Sequence, residues 1–192
     1  MDSSFRSLKG KLLLDSGQLG DTIFHQAAVY LCGHDNEGAM GLIVNHPFYI
    51  PFKEFMKEGA PSSLGSLPVH IGGPVLENSI FALFHPGMEC KGLKEISGHV
   101  YLITSLEEAS LEEAKQLDHA VNERNIHLYA GYAGWSSGQL EEEIARGAWL
   151  ISDVLSGELF EEDPTKLWKK KIRTFGVEYN LLSCSPRRYS DN

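Results

Sequence analysis

With 192 residues, 42% of them hydrophobic and 22% charged, the chain can bury a core without disulfides or metals, and it reads as one domain over residues 1–192. No run is long enough for a membrane span and the KLLL stretch near the N-terminus is too short for a secretory signal, so a cytoplasmic location without a membrane partner is expected. A formal net charge of −9 disfavours nucleic acid as a partner, because DNA readers draw much of their affinity from Lys and Arg on phosphates.

In chain order, the first clear unit is a hairpin. Ala28 to His34 and Ala39 to Asn45 are apolar, β-prone runs, both expected to be buried, separated by a loop of Asp35, Asn36, Glu37 and Gly38. Phe52, Phe55 and Met56 have helical spacing before Gly59 and predict a short helix. PVHIGGPV, ENSIFALFH and SGHVYLITS then read as three strands, expected to be antiparallel. From Ser105, a capping box with Glu108 opens a helix whose Leu106, Ala109, Leu117 and Val121 lie near one face.

NIHLYAGYAGW reads as a strand entering a glycine turn, and SSGQLEEEIAR as a helix leaving it, with Ser136 and Gln139 as a second capping box and Gly147 as the stop. AWLISDVLS supplies another strand. EEDPTKLWKKKIRTFG is marked as a helix at both ends, by Asp163 and Pro164 at its start and Gly176 beyond its last turn. Lys169, Lys170, Lys171 and Arg173 in those last turns offset the negative end of the helix dipole, a simpler reading than a nucleic-acid patch. Residues 1–9 and about 180–192 read as tails. The sum is an α+β protein with hairpins in its first half and strand–helix units in its second.

Several separated motifs in this order, EGAMGLIVNHP, a central GGPV, GYAGW followed by GQLE, and the later Trp149 and Leu167-Trp168, resemble the AlgH/YqgE family of bacterial proteins. The resemblance covers about residues 10–176. It implies a bifurcated, mostly antiparallel sheet curled into a pseudo-barrel with flanking helices. It also implies the label of transcriptional regulator, which that family carries without a demonstrated mechanism. The chain departs from the usual family residues at Leu14-Asp15-Ser16, Asp21-Thr22, His46 and Ser136-Ser137.

Chemistry is sparse in the motifs. Gly131, Gly134 and Gly138 match neither the GxGxxG nor the P-loop spacing, and Glu141, Glu142 and Glu143 already occupy the first turns of the helix that follows. The glycines therefore read first as a corner on which Trp135 packs, and second as a ligand or partner surface with Tyr132 and Trp135 as contacts. Asn45 and Pro47, flanking His46, and Gly72 and Gly73 read as forced turns at strand ends that become binding candidates if they converge with Gly131, Tyr132, Gly134, Trp135, Gly138 and Gln139.

Cys32, His34, Asp35 and Glu37 match no zinc or calcium pattern, so no metal and no cofactor are expected. Cys32, Cys90 and Cys184 suit buried thiols, and His46, His70 and His85 suit polar strand ends. No GxSxG elbow is present. The leading expectation is a non-catalytic regulatory or binding protein with a protein or small-molecule partner. The alternatives are a regulator acting on DNA, and an enzyme on a small anionic substrate that uses the backbone N–H groups of the Gly131–Gln139 turn.

Overall fold

The computed structural model describes residues 5–55, 64–86, 93–104, 124–160 and 163–185. Ten strands form one curled sheet: β1 Leu12–Asp15, β2 Ala28–Asp35, β3 Gly38–Ile43, β4 Ile50–Pro51, β5 Pro68–Ile71, β6 Val75–Phe84, β7 Lys94–Ser97, β8 Val100–Ile103, β9 Ile126–Ser136 and β10 Trp149–Ser152. The order is β10-β1-β2-β3-β9-β6-β8-β7, with β5 and then β4 branching from β9. Four described helices accompany it: α1 Gln139–Ala145, α2 Ser156–Leu159, α3 Thr165–Ile172 and α4 Val177–Ser183. The architecture is α+β, a mostly antiparallel sheet curled into a half-barrel and divided at β9.

The apolar runs LLL and AVYLC are unbroken because the sheet is covered on both faces, where strands need no polar alternation. Leu12, Leu14, Ala28, Tyr30 and Cys32 point into one core with Phe81, Tyr129 and Trp168, whereas Leu13, Val29 and Leu31 point into another with Trp135, Leu140 and Trp149. A third cluster around Phe52, Val69, Phe84 and Leu128 fills the β4–β5 branch. Each fully buried Leu or Phe contributes roughly 1.5–3 kcal/mol, so these two-sided strands are the main source of stability.

Polar atoms inside are used to shape loops. The buried Asp15 carboxylate accepts N–H bonds from Gly17 at 2.8 Å, Leu19 at 3.2 Å and Gln26 at 2.8 Å, while the Trp168 indole donates to the Asp15 carbonyl at 3.0 Å. The buried Asn45 side chain accepts from the Ala28 N–H and donates to the Gln26 carbonyl, closing the end of the β2–β3 pair.

Several sequence expectations are modified. The β2–β3 hairpin forms, but Asp35 pairs with Gly38, so its loop shrinks to Asn36 and Glu37, and a bulge falls between Leu31 and Gly33. β5 runs parallel to β9, and its chain leaves through the Gly72-Gly73 crossing over β9 to β6 and not through a hairpin. GYAGW is no turn: β9 runs unbroken through it to Ser136, since Gly131 serves a close chain crossing in the middle of a strand. The turn that follows comprises Ser137 and Gly138, and Gly138, not Ser136, is the N-cap of α1.

Half of the expected Ser136–Gln139 exchange is present, as the Ser136 N–H donates to Gln139 Oε1 at 3.1 Å. Gly147 stops α1 as expected. At α3, Asp163 accepts from the Thr165 N–H, and Pro164 holds the cap position. Only a single 3₁₀ turn, Phe52–Glu54, is described where a helix from Phe52 was expected, and the helix expected from Ser105 lies outside the described residues. β1, β4, β7, α2 and α4 were not anticipated.

Candidate functional site

The sheet forks because β9 changes neighbours along its length. Its first half is paired on both edges, with β5 through Val69↔Leu128 to Ile71↔Ala130 and with β6 through Ile80↔Ala130 to Phe84↔Ile126. Its second half pairs with β3 through Gly41↔Ala133 to Gly38↔Ser136, and on the β6 side only Val75↔Tyr132 remains. The change falls at Gly131, where φ is 70°, against Gly73, where φ is 154°. A Cβ on Gly73 would overlap the Tyr132 carbonyl, one on Gly131 the Gly73 carbonyl, and one on Gly72 the Gly131 carbonyl. Two backbones cross there in direct contact, which only glycine permits.

In the fork lies an open cleft of about 580 Å³. The β2–β3 hairpin forms one wall from Cys32 to Met40, and Tyr132, Gly134 and Trp135 of β9 lie beside it. Val75, Leu102 and Lys94 close the opposite side. Of the sequence candidates, Tyr132, Gly134 and Trp135 line this cleft, while Gly72, Gly73 and Gly131 build the crossing behind it. Asn45 is occupied between β2 and Gln26, Pro47 sits in the loop before β4, and Gly138 and Gln139 start α1.

Trp135 is held, not free. Its indole N–H donates to Glu143 Oε2 at 2.9 Å, the Trp149 indole donates to the same oxygen at 2.8 Å, and the rings meet edge to face at 6.0 Å. Gln139 donates to the other carboxylate oxygen at 3.1 Å. Burial opposes ionisation of Glu143, but these donors from Trp149, Trp135 and Gln139, with the charge of Arg146, outweigh it and hold the carboxyl below the usual range. This knot pins α1 onto β9 and β10.

The groups at the cleft that resemble catalysts are also occupied. Burial pushes the Cys32 thiol up to about 12, far from a thiolate at neutral pH. His34 has only 2% of its side chain exposed; its Nδ1 accepts the Leu8 N–H at 2.9 Å, which leaves Nε2 to donate to Glu141 Oε1 at 2.8 Å. Lys94, Asp35 and Glu37 form no ion pair among the described residues, although Asp35 accepts the Glu37 N–H. Lys94, Val75 and Leu102 were missed in the sequence because nothing local marks them: they reach the cleft only through sheet curvature. Among the described residues no His, Cys, Asp and Glu group is placed to hold a metal.

At the other end of β9, His127 and His70 lie 6.1 Å apart between ring centroids, packed against Tyr129 and Phe160. Burial lowers His70, and burial together with His70 lowers His127 to about 4.

Fold and site together define an α+β half-barrel protein whose open cleft lies in the fork of its sheet. The chain belongs to the AlgH-like family, whose model, DUF179, matches residues 12–180. It is 34% identical to a UPF0301 protein of Chlorobaculum tepidum over 194 residues, covering 97% of each chain, and 34% identical to one of Shewanella woodyi, covering 92% of this chain and 96% of that one. The solution structure of AlgH from Pseudomonas aeruginosa superposes with a TM-score of 0.70 at 28% identity, covering 98% of this chain and all of that one. A crystal structure of a Corynebacterium diphtheriae protein, at 17% identity and a TM-score of 0.73 over 94% of each chain, shares the fold. No helix among the described residues is long and apolar enough to cross a membrane.

Proposed function

We infer that this chain is a non-catalytic binding protein of the AlgH-like family and that its partner or ligand occupies the fork cleft. The observation that carries the reading is a cleft of about 580 Å³, within the usual range of ligand sites, whose cysteine and histidine are buried and engaged in holding the fold. Cys32 is a neutral thiol and His34 is bonded at both ring nitrogens, so neither a nucleophile nor a general base is poised there. Tyr132, Gly134, Met40, Val75 and Leu102 offer contact surface, and Lys94 supplies charge.

The reading of an enzyme that uses the Gly131–Gln139 segment has less support. That segment is mostly strand, and the seven-residue α1 carries Glu141 and Glu142 in its first turn, which repel an anion. The DNA reading meets a similar obstacle. Lys11 pairs with Asp153, Lys166 with Asp163, and Lys170 and Lys171 with Glu158, so much of the described basic charge is already neutralised.

A thermal-shift screen against peptides, nucleotides, phosphorylated metabolites and divalent metals tests the proposal, since binding to the native state alone raises Tm with ligand excess. The expected result is a ligand whose shift falls on Lys94→Glu, a variant with an unchanged ligand-free Tm because Lys94 is exposed and unpaired among the described residues. A ligand indifferent to both Lys94→Glu and Tyr132→Ala would remove the cleft from the proposal. Steep, salt-sensitive binding of duplex DNA would replace it with the DNA reading.

A further inference from the structure

The open half of β9 presents backbone as well as side chains to the cleft. On β3, a Cβ at Gly38 would overlap the Trp135 carbonyl, so that carbonyl faces β3, and the Ser136 N–H goes to Gln139 instead of to the ladder. Strand alternation then turns the N–H and C=O of Gly134, the residue before Trp135, away from β3. The β6 ladder has already ended at Val75↔Tyr132, where the chain bulges between Val75 and Ile80 with Leu76 at φ 52°. Gly134 is exposed, lines the cleft, and has no paired strand residue on this side among the described residues. The edge Ala133–Ser136 would span about 13 Å at the usual rise per residue.

We propose, resting on the binding reading above, that the cleft takes an extended peptide by strand addition to β9 at Gly134. Main-chain bonds to Gly134 align the peptide, and alternate apolar side chains enter the cleft against Met40, Val75, Leu102 and Tyr132. Charge complementarity defines the rest of the occupant. Lys94 on the β7 wall and Asp35 and Glu37 on the hairpin wall are unpaired among the described residues, so the peptide carries an acidic residue for the first and a basic one for the second. Long sheets generally cover or charge such an edge, whereas here it opens beside an apolar lining.

The test is amide hydrogen exchange followed by NMR on the full chain. The probe is a pool of acetylated and amidated heptapeptides in which Val, Leu or Phe alternates with Thr, Lys or Glu. Alone, Gly134 is expected to exchange fast between slow Ala133 and Trp135. With the pool, its exchange slows by about tenfold or more, and the same pool N-methylated at alternate amides has no such effect. Gly134→Pro, tolerable where an edge N–H faces solvent, is expected to abolish the peptide-induced shifts of the Tyr132 and Met40 resonances while leaving the spectrum folded. The methylated pool decides the matter if that variant does not fold.

Peptides that shift Tyr132 and Met40 resonances without protecting Gly134 would overturn strand addition and leave the cleft reading standing. Protection of Gly134 that rises with protein concentration alone would also overturn it, in favour of a second copy of the chain. No change at any cleft resonance at millimolar pool would overturn both.

Discussion

The two halves of β9 are one continuous strand with opposite surroundings. From Leu128 to Ala130 both edges are paired; from Ala133 to Ser136 only the β3 edge is paired, and the other faces an open cleft. The first half is a place where substitutions act on stability, and under the proposed binding reading the exposed positions of the second act on recognition. The Trp135–Glu143–Trp149 knot lets the second half stay open, since it holds the strand from the α1 side without closing the cleft edge.

The largest effect should come from breaking the closed half at its crossing. Gly73→Ala places a Cβ into the Tyr132 backbone at φ 154°, and because backbone cannot yield as a side chain can, a loss of about 4 kcal/mol or more is expected in urea unfolding. A stability change below about 1 kcal/mol would show that the chains do not meet so closely.

Next comes acid. His127 has its folded value lowered to about 4, so the unfolded chain binds more protons below its ordinary value of 6.5. Stability is therefore expected to fall as pH drops from about 6.5 towards 4, by on the order of 3 kcal/mol from this group. His127→Phe should flatten that part of the profile; an unchanged slope would locate the acid sensitivity elsewhere.

In the open half, Glu143→Ala leaves two indole N–H groups without their acceptor and should cost about 2 kcal/mol, with a change in tryptophan emission. Because the folded carboxyl lies below its ordinary value, its contribution is complete above the carboxylate range and disappears as pH falls through that lowered value. The smallest effect on stability belongs to the cleft wall. Lys94→Glu is expected to shift unfolding by less than about 0.5 kcal/mol, and a larger loss would mark Lys94 as part of the frame.

How far each region could be read beforehand follows from how local its determinants are. The hairpin, β10, α1 and α3 were legible in runs of β-prone residues, cap residues and terminal glycines, all of which act within a few positions. The glycines of GYAGW misled, because a glycine required for a chain crossing carries the same letter as one required for a turn. β7, with the polar letters KEIS, carries no strand signal, and α4 follows Gly176 without a capping side chain, so both depend on what they pack against.

The sequence by itself determined an α+β chain, its family, its acidic balance and most of its elements, because periodicity and backbone sterics operate between near neighbours. Only the tertiary structure decided that Gly73 meets Gly131, that one carboxylate serves two tryptophans, and that Lys94 faces the hairpin across a cleft. The first and last of these join residues tens of positions apart, the second brings two strands and α1 to one point, and all depend on the register and curl of the sheet, which no short pattern of residues encodes.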